Sequence, residues 1–158
     1  MQSLGKMTRS DWATACDTRL QEAGFKNFSA LEISDVGRKC GDAVLVAPPL
    51  DLLNNATRLM MLLEWVRRTD GEAPVLVNSW YRDPEYNKAV GGVPHSMHLT
   101  LGAADIVKVG WSPADVADLL GHAPHKHMLG IGRYKSFTHI DIRGMIGRPA
   151  PARWGSNE

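Results

Sequence analysis

"DLLNNATRLMMLLEWVRRTDGEAPVLV", residues 51–77, decides the fold class. Leu52, Ala56, Leu59, Met60, Leu63 and Val66 recur at steps of three and four, the spacing that places apolar side chains on one face of a helix. Thr69-Asp70-Gly71 closes that helix. Beyond Pro74, Val75-Leu76-Val77 is a β-branched run of the kind that forms a buried strand. A long central helix therefore feeds directly into a sheet.

Working outward toward the N-terminus, Ser10 is placed to cap a helix whose apolar stripe is Trp12, Cys16, Leu20 and Ala23, with Gly24 as its stop. Residues 25–50 lack a clear period and end on Pro48-Pro49, which predicts a mostly irregular wrap with a short strand at 44–46. Toward the C-terminus, "NSWYRDPEYN" (78–87) reads as a loop and a short helix, and residues 103–107 as a second strand. Ser112-Pro113-Ala114-Asp115 starts a further helix, with proline in the first turn, a capping-box acid, and Val116, Leu119 and Leu120 on its apolar face. Residues 128–134 and 137–142 pair as a hairpin around Lys135-Ser136, and the tail after Pro149 is expected to be loosely held. The sum is an α+β fold: N-terminal helices packed on a small, mostly antiparallel sheet that carries the polar residues.

With 158 residues the chain fits one domain spanning 1–158, a size that buries roughly 68–70% of the surface its unfolded form exposes. Eighteen Lys and Arg against 17 Asp and Glu leave a formal charge of +1, which argues against nucleic acid or an anionic membrane as partner. The two cysteines, Cys16 and Cys40, form no Cys-x-x-Cys pair, so neither a disulfide scaffold nor a thiolate zinc knuckle is expected. No apolar run reaches about 18 residues and no basic-then-apolar leader occupies residues 1–9. The expectation is a chain made in the cytoplasm without a signal peptide and without stable membrane insertion.

The chemistry concentrates in two places. In "SMHLTLGAAD" (96–105), His98 and Asp105 stand seven apart with almost nothing ionisable between them. In "FTHIDIRG" (137–144), strand alternation sends His139, Asp141 and Arg143 to one face while Ile140 and Ile142 take the other. Two imidazoles and a carboxylate are the donor set of a catalytic zinc site, with a further position left to water.

These segments resemble the zinc D-alanyl-D-alanine carboxypeptidase and peptidoglycan endopeptidase family. "SMHLTLGAAD" is similar to its Ser-x-His-x-x-Gly-x-Ala-x-Asp signature, "SWYRDPEYNKAVGG" to its Ser-Gly-Tyr-Arg segment with a following Asn and Gly pair, and "GIGRYKSFTHIDIRG" to its last strands with the His-x-Asp element. Arg153-Trp154 resembles the Arg-Trp that closes the phage and periplasmic branch. The likeness runs in order from about Leu52 to Trp154.

What the resemblance implies is zinc on His98, Asp105 and His139, a substrate-orienting role for Arg82, a metal-loop brace in Ser96, and shaping or substrate contacts from Tyr81 and Asn87. Two positions depart from the pattern: Leu101 stands in a glycine slot, and Ser136 stands where better understood members carry a Glu or Asp base. Asp141 is the natural substitute base because it shares a face with His139, and zinc brings the pKa of its water down toward about 7. The exchanged assignment, with Asp141 as ligand, stays open, although imidazole is the commoner zinc ligand. Trp80, also in a glycine slot, is either a cleft wall or a buried structural residue. "HAPHKH" (His122, His125, His127) lacks a carboxylate partner and reads as an exposed turn.

The implied activity is amide hydrolysis in the peptide stems or cross-links of bacterial peptidoglycan, in the cell wall or periplasm. An endopeptidase of phage-lysin type, reaching the wall with the help of a separate membrane-permeabilising protein, is favoured over a carboxypeptidase. Arg82, Arg133 and Arg143 are the candidates for holding a terminal carboxylate. The competing expectation is a zinc-containing wall-binding or phage structural domain that has lost catalysis.

Overall fold

The structure, a computed structural model, describes residues 9–155. Helix α1 (Arg9–Glu22) buries Trp12, Cys16 and Leu20 along one stripe. Ser10 lies inside this helix instead of capping it, and Ala23 is exposed. At the other end Gly24, at φ +80°, lets the chain turn back so that Phe25 N donates to Leu20 O at 2.9 Å.

The stretch expected to be irregular contains a second helix, α2 (Ala30–Ser34), started by a capping box in which Ser29 and Glu32 satisfy each other's backbone N–H groups. A minimal hairpin follows, β1 (Lys39–Cys40) and β2 (Ala43–Val44), so the expected strand at 44–46 is shorter and starts earlier. Cys16 and Cys40 are both free thiols. A 3-10 turn (Leu50–Leu52) leads into α3 (Leu53–Arg68), which buries Ala56, Leu59, Met60, Leu63 and Val66 as the periodicity predicts.

The main sheet uses β3 (Val75–Ser79), β4 (Ala103–Lys108), β5 (Gly130–Arg133), β6 (Thr138–Asp141) and β7 (Ala152–Gly155), in the spatial order β3-β4-β6-β5-β7. All neighbours are antiparallel except β5 and β7. Between these strands, α4 (Pro84–Ala89) is capped by Asp83, and α5 (Pro113–Leu120) by a Ser112–Asp115 capping box. Helices α3 and α5 pack against the sheet, and Ala104, Ile106, Ile131 and Ile140 join Leu59, Leu63 and Leu120 in the core. Lys108 closes one end of this packing: its buried Nζ donates to the carbonyls of Val66, at 2.8 Å, and of Thr69, at the C-terminal end of α3.

Strand β7 corrects the expectation of a loose tail. Its parallel pairing with β5 is reinforced by Arg153, whose guanidinium donates to Leu129 O at 2.7 Å and Lys126 O at 2.9 Å. Among the described residues no helix is long and apolar enough to cross a membrane.

Candidate metal centre

Strand register lines up the polar residues. Ser79 on β3 pairs with Asp105 on β4, Asp105 with His139 on β6, His139 with Gly132 on β5, and Gly132 with Trp154 on β7. Directly paired residues project from the same side of a sheet, so this row forms a transverse band across it. An irregularity between Val77 and Ser79 shifts the β3 register, which is what puts Ser79 rather than Asn78 opposite Asp105.

His98 reaches this band from outside the sheet, on a 3-10 turn (Met97–Thr100) capped by Ser96. One ligand-capable atom each from His98, Asp105 and His139 all lie within 4.8 Å of one another, and all three residues are buried. His98 Nδ1 sits 2.5 Å from the Trp80 carbonyl. A carbonyl only accepts, so Nδ1 carries the proton and Nε2 presents its lone pair toward Asp105 Oδ1, 3.2 Å away. His139 is oriented the opposite way round: Nδ1 faces Asp105 Oδ1 at 2.9 Å, and Nε2 faces Asp141 Oδ2 at 3.0 Å. Each ring therefore turns one nitrogen into the cluster and has the other anchored, the outer support that metal-binding histidines use. The donor set fits a divalent metal.

The electrostatics follow from burial and these contacts. Burial lowers the pKa of His98 and outweighs the nearby Asp105 carboxylate, so the ring is neutral. For His139 burial also opposes charge, but hydrogen bonds to Asp105 and Asp141 overcome it and raise the pKa. Burial would raise Asp105 and Asp141 as well. His139, hydrogen-bonded to both carboxylates, and Arg143 at Asp141 instead hold the two below the usual carboxylate range.

Asp141 is fully buried and its oxygens are committed. Oδ1 accepts from Arg143 N at 3.0 Å and Nε at 2.9 Å, while Oδ2 accepts from Arg143 Nη2 at 2.8 Å and faces His139. Gly130, its partner on β5, leaves no room for a Cβ beside it. Both oxygens of Asp141, the residue expected to shuttle the proton, are thus engaged by Arg143 and His139, and the residue lines the same cleft as the three-residue cluster. Arg82 does lie at the cluster, where Nη2 donates to Asp105 Oδ2 at 2.8 Å and Nε to Ser79 Oγ at 3.0 Å. Its backbone N–H also donates to His98 O at 3.2 Å.

The residues expected to touch substrate divide. Ser96, expected to brace the metal loop, has its Oγ accepting from His98 N at 3.3 Å. Asn87 is 2% exposed and works from below: its Nδ2 holds Val93 O at 2.9 Å, and it fills the space where a Cβ on Gly92 would stand. Tyr81 is buried and lines a separate cavity of about 260 Å³ against α2, away from the cluster. Trp80 lines that cavity too, so it is a buried structural residue and not a cleft wall.

The two unusual residues in glycine slots meet. Leu101 adopts φ 60°, ψ 9°, the left-handed conformation that glycine takes without strain, and its side chain is fully buried. Trp80 Nε1 donates to Leu101 O at 3.0 Å. Trp80 thus grips the turn through its indole while its own carbonyl orients His98.

The cluster lies in an open cleft of about 660 Å³ whose walls include Val90–Val93 and also Tyr134, Phe137 and Trp154. Sequence reasoning assigned these walls no role. A usable signal was "GIG" (130–132): its glycines share a face beside Asp141 and Trp154, where any side chain would collide. His95 also lines the cleft and is exposed.

Asp105 and His139 from the sheet and His98 from the adjoining turn thus form a His/Asp/His cluster that could hold a metal ion, within a cleft of about 660 Å³. The sequence model of the family described as Peptidase M15 matches residues 26–141, and the chain belongs to that family of metal-dependent peptidases. No curated protein matches the chain.

Proposed function

We propose that the chain is a zinc endopeptidase that cuts the peptide part of bacterial peptidoglycan, of the compact lysin type. The observation that carries this reading is the opposed anchoring of the two imidazoles, His98 through Nδ1 on Trp80 O and His139 through Nε2 on Asp141. His98 Nε2, Asp105 Oδ1 and His139 Nδ1 are the atoms that would hold the ion. Zinc bound there supplies a Lewis acid for the scissile carbonyl and an acidified water as nucleophile.

The chain's own groups do the rest. Asp141 keeps the outward nitrogen of His139 protonated and the ring in place. Arg82 occupies one oxygen of Asp105, leaving the other for the cluster, and its guanidinium lines the cleft where a substrate carbonyl would lie. With Asp141 committed, we assign proton transfer to His95, exposed at the cleft wall. The endopeptidase preference rests on charge. A carboxypeptidase needs a cation for the terminal carboxylate, yet each candidate arginine already has a carboxylate partner: Arg82 with Asp105, Arg133 with Asp118, and Arg143 with Asp141.

Purified peptidoglycan incubated with and without a chelator, with products read by mass spectrometry and zinc measured in the isolated protein, tests this. Chelator-sensitive release of internal peptide fragments is the expected result. A second reading, a zinc-containing wall-binding domain without catalysis, is favoured by Ser136 standing exposed in the hairpin turn and by the commitment of Asp141. Tight binding to walls by a zinc-loaded protein that releases no new amines would select it.

A further inference from the structure

The two walls of the cleft differ in chemistry. Val90 and Val93, 40% and 66% exposed, flank Gly91-Gly92 and present small aliphatic surface. In the same cleft, Tyr134 and Phe137 stack with ring centroids 4.5 Å apart and planes 13° from parallel. Trp154 extends that surface: its Nε1 donates to the Tyr134 hydroxyl at 3.0 Å, its ring lies 5.2 Å from the His139 ring, and the Arg143 guanidinium lies 5.0 Å from its centroid. This wall is assembled from the β5–β6 hairpin and β7, and Gly132 makes room for the indole. Its Trp154 lies beyond residue 141, where the family match ends.

We infer that this aromatic wall is a saccharide subsite, seating a pyranose ring of the glycan from which the peptide stem hangs, so that the bond cut lies within about two residues of the sugar. The inference rests on the peptidoglycan peptidase reading above and deepens it. A pyranose has an apolar C–H face bordered by hydroxyl groups. The wall has the complementary form: aromatic faces bordered by the Tyr134 hydroxyl and the Arg143 guanidinium. The valine segment offers small aliphatic surface that suits the small side chains of a stem. Reach then limits the bond. An extended chain advances at most about 3.3–3.6 Å per residue, and the shelf begins 5.2 Å from His139. A sugar on the shelf and a carbonyl at the metal centre are therefore bridged by one or two residues.

Three ligands test this on the full chain loaded with zinc: a disaccharide-tetrapeptide, the same tetrapeptide without sugar, and the disaccharide without peptide. Mass spectrometry is expected to find the disaccharide carrying one or two residues. The sugar-bearing substrate is expected to have a kcat/KM about tenfold higher, mainly through KM, and Tyr134→Leu, at an exposed turn position, to shrink that ratio to within about twofold. The peptide-free disaccharide is expected to shift the Trp154 indole resonance. Equal kcat/KM on the two peptides, or a cut remote from the sugar, overturns the subsite while leaving a peptidase. Hydrolysis of neither peptide means that the peptidase reading has failed, and the resonance then decides alone: a shift retains the saccharide subsite, and no shift overturns it.

Discussion

Asp105 and His139 meet because two strands pair in register, whereas His98 reaches them from a turn held by separate local bonds. Four consecutive residue pairs tie β4 to β6, and a slip of one position would put the two side chains on opposite faces. The His98 turn relies on Ser96 Oγ, the Trp80 carbonyl and the Arg82 amide. Half of the centre is thus built into the sheet ladder, while the other half depends on a few local bonds.

The largest effects should come from removing a ligand on either side of that divide. His139→Ala in the sheet and His98→Ala in the turn should each weaken zinc binding by more than about 100-fold, beyond the 10–100-fold typical of supporting groups. Competition with a chromogenic chelator measures this, and wild-type affinity in either variant would show that the ligands are wrongly assigned. Asp141→Asn should follow at about 10–100-fold, because the amide can still accept from His139 Nε2 but loses the charge that anchors Arg143. Arg82→Gln tests the link between the halves, since Arg82 bonds to Asp105 through its side chain and to His98 through its backbone. About tenfold weaker zinc binding is expected. A raised KM with unchanged zinc affinity would mean that Arg82 contacts only substrate.

The same divide explains what could be read from the sequence. Strand alternation put His139 and Asp141 on one face, and the 51–69 periodicity located α3, because sheets and amphipathic helices repeat their pattern over many residues. The partners of the turn carry no such pattern. Nothing in "NSWYRD" announces that the Trp80 carbonyl selects the tautomer of His98, or that its indole grips the carbonyl of Leu101. Alternation likewise placed Asp141 beside His139 without revealing that Arg143, two residues on, folds back and takes both of its oxygens. Helix α2 and strand β7 were missed for a related reason: five-residue and four-residue elements are too short for periodicity, and β7 owes its order to β5 and to Arg153.

Two smaller perturbations should separate the halves in opposite directions. Lys108 ends β4 and joins it to α3, remote from the metal cluster. Lys108→Met should cost about 2 kcal/mol in denaturant unfolding by leaving the Val66 and Thr69 carbonyls without their charged donor. Zinc affinity in that variant should stay within about twofold of wild type, because the β4–β6 register is maintained along the rest of the strand.

Ser96→Ala is the converse case. It removes one neutral hydrogen bond, to His98 N at 3.3 Å, so its cost to global stability should be only about 0.5–1.5 kcal/mol. That bond acts on the backbone of a ligand, however, and the freedom regained by the turn must be lost again whenever His98 closes on the metal. Up to about 1 kcal/mol of that cost should therefore appear in zinc binding, roughly a fivefold loss. A variant that loses stability but keeps full zinc affinity would place the His98 turn under the same collective control as the sheet. A variant that loses affinity with its unfolding midpoint unchanged would show the turn to be the independently adjustable half of the centre.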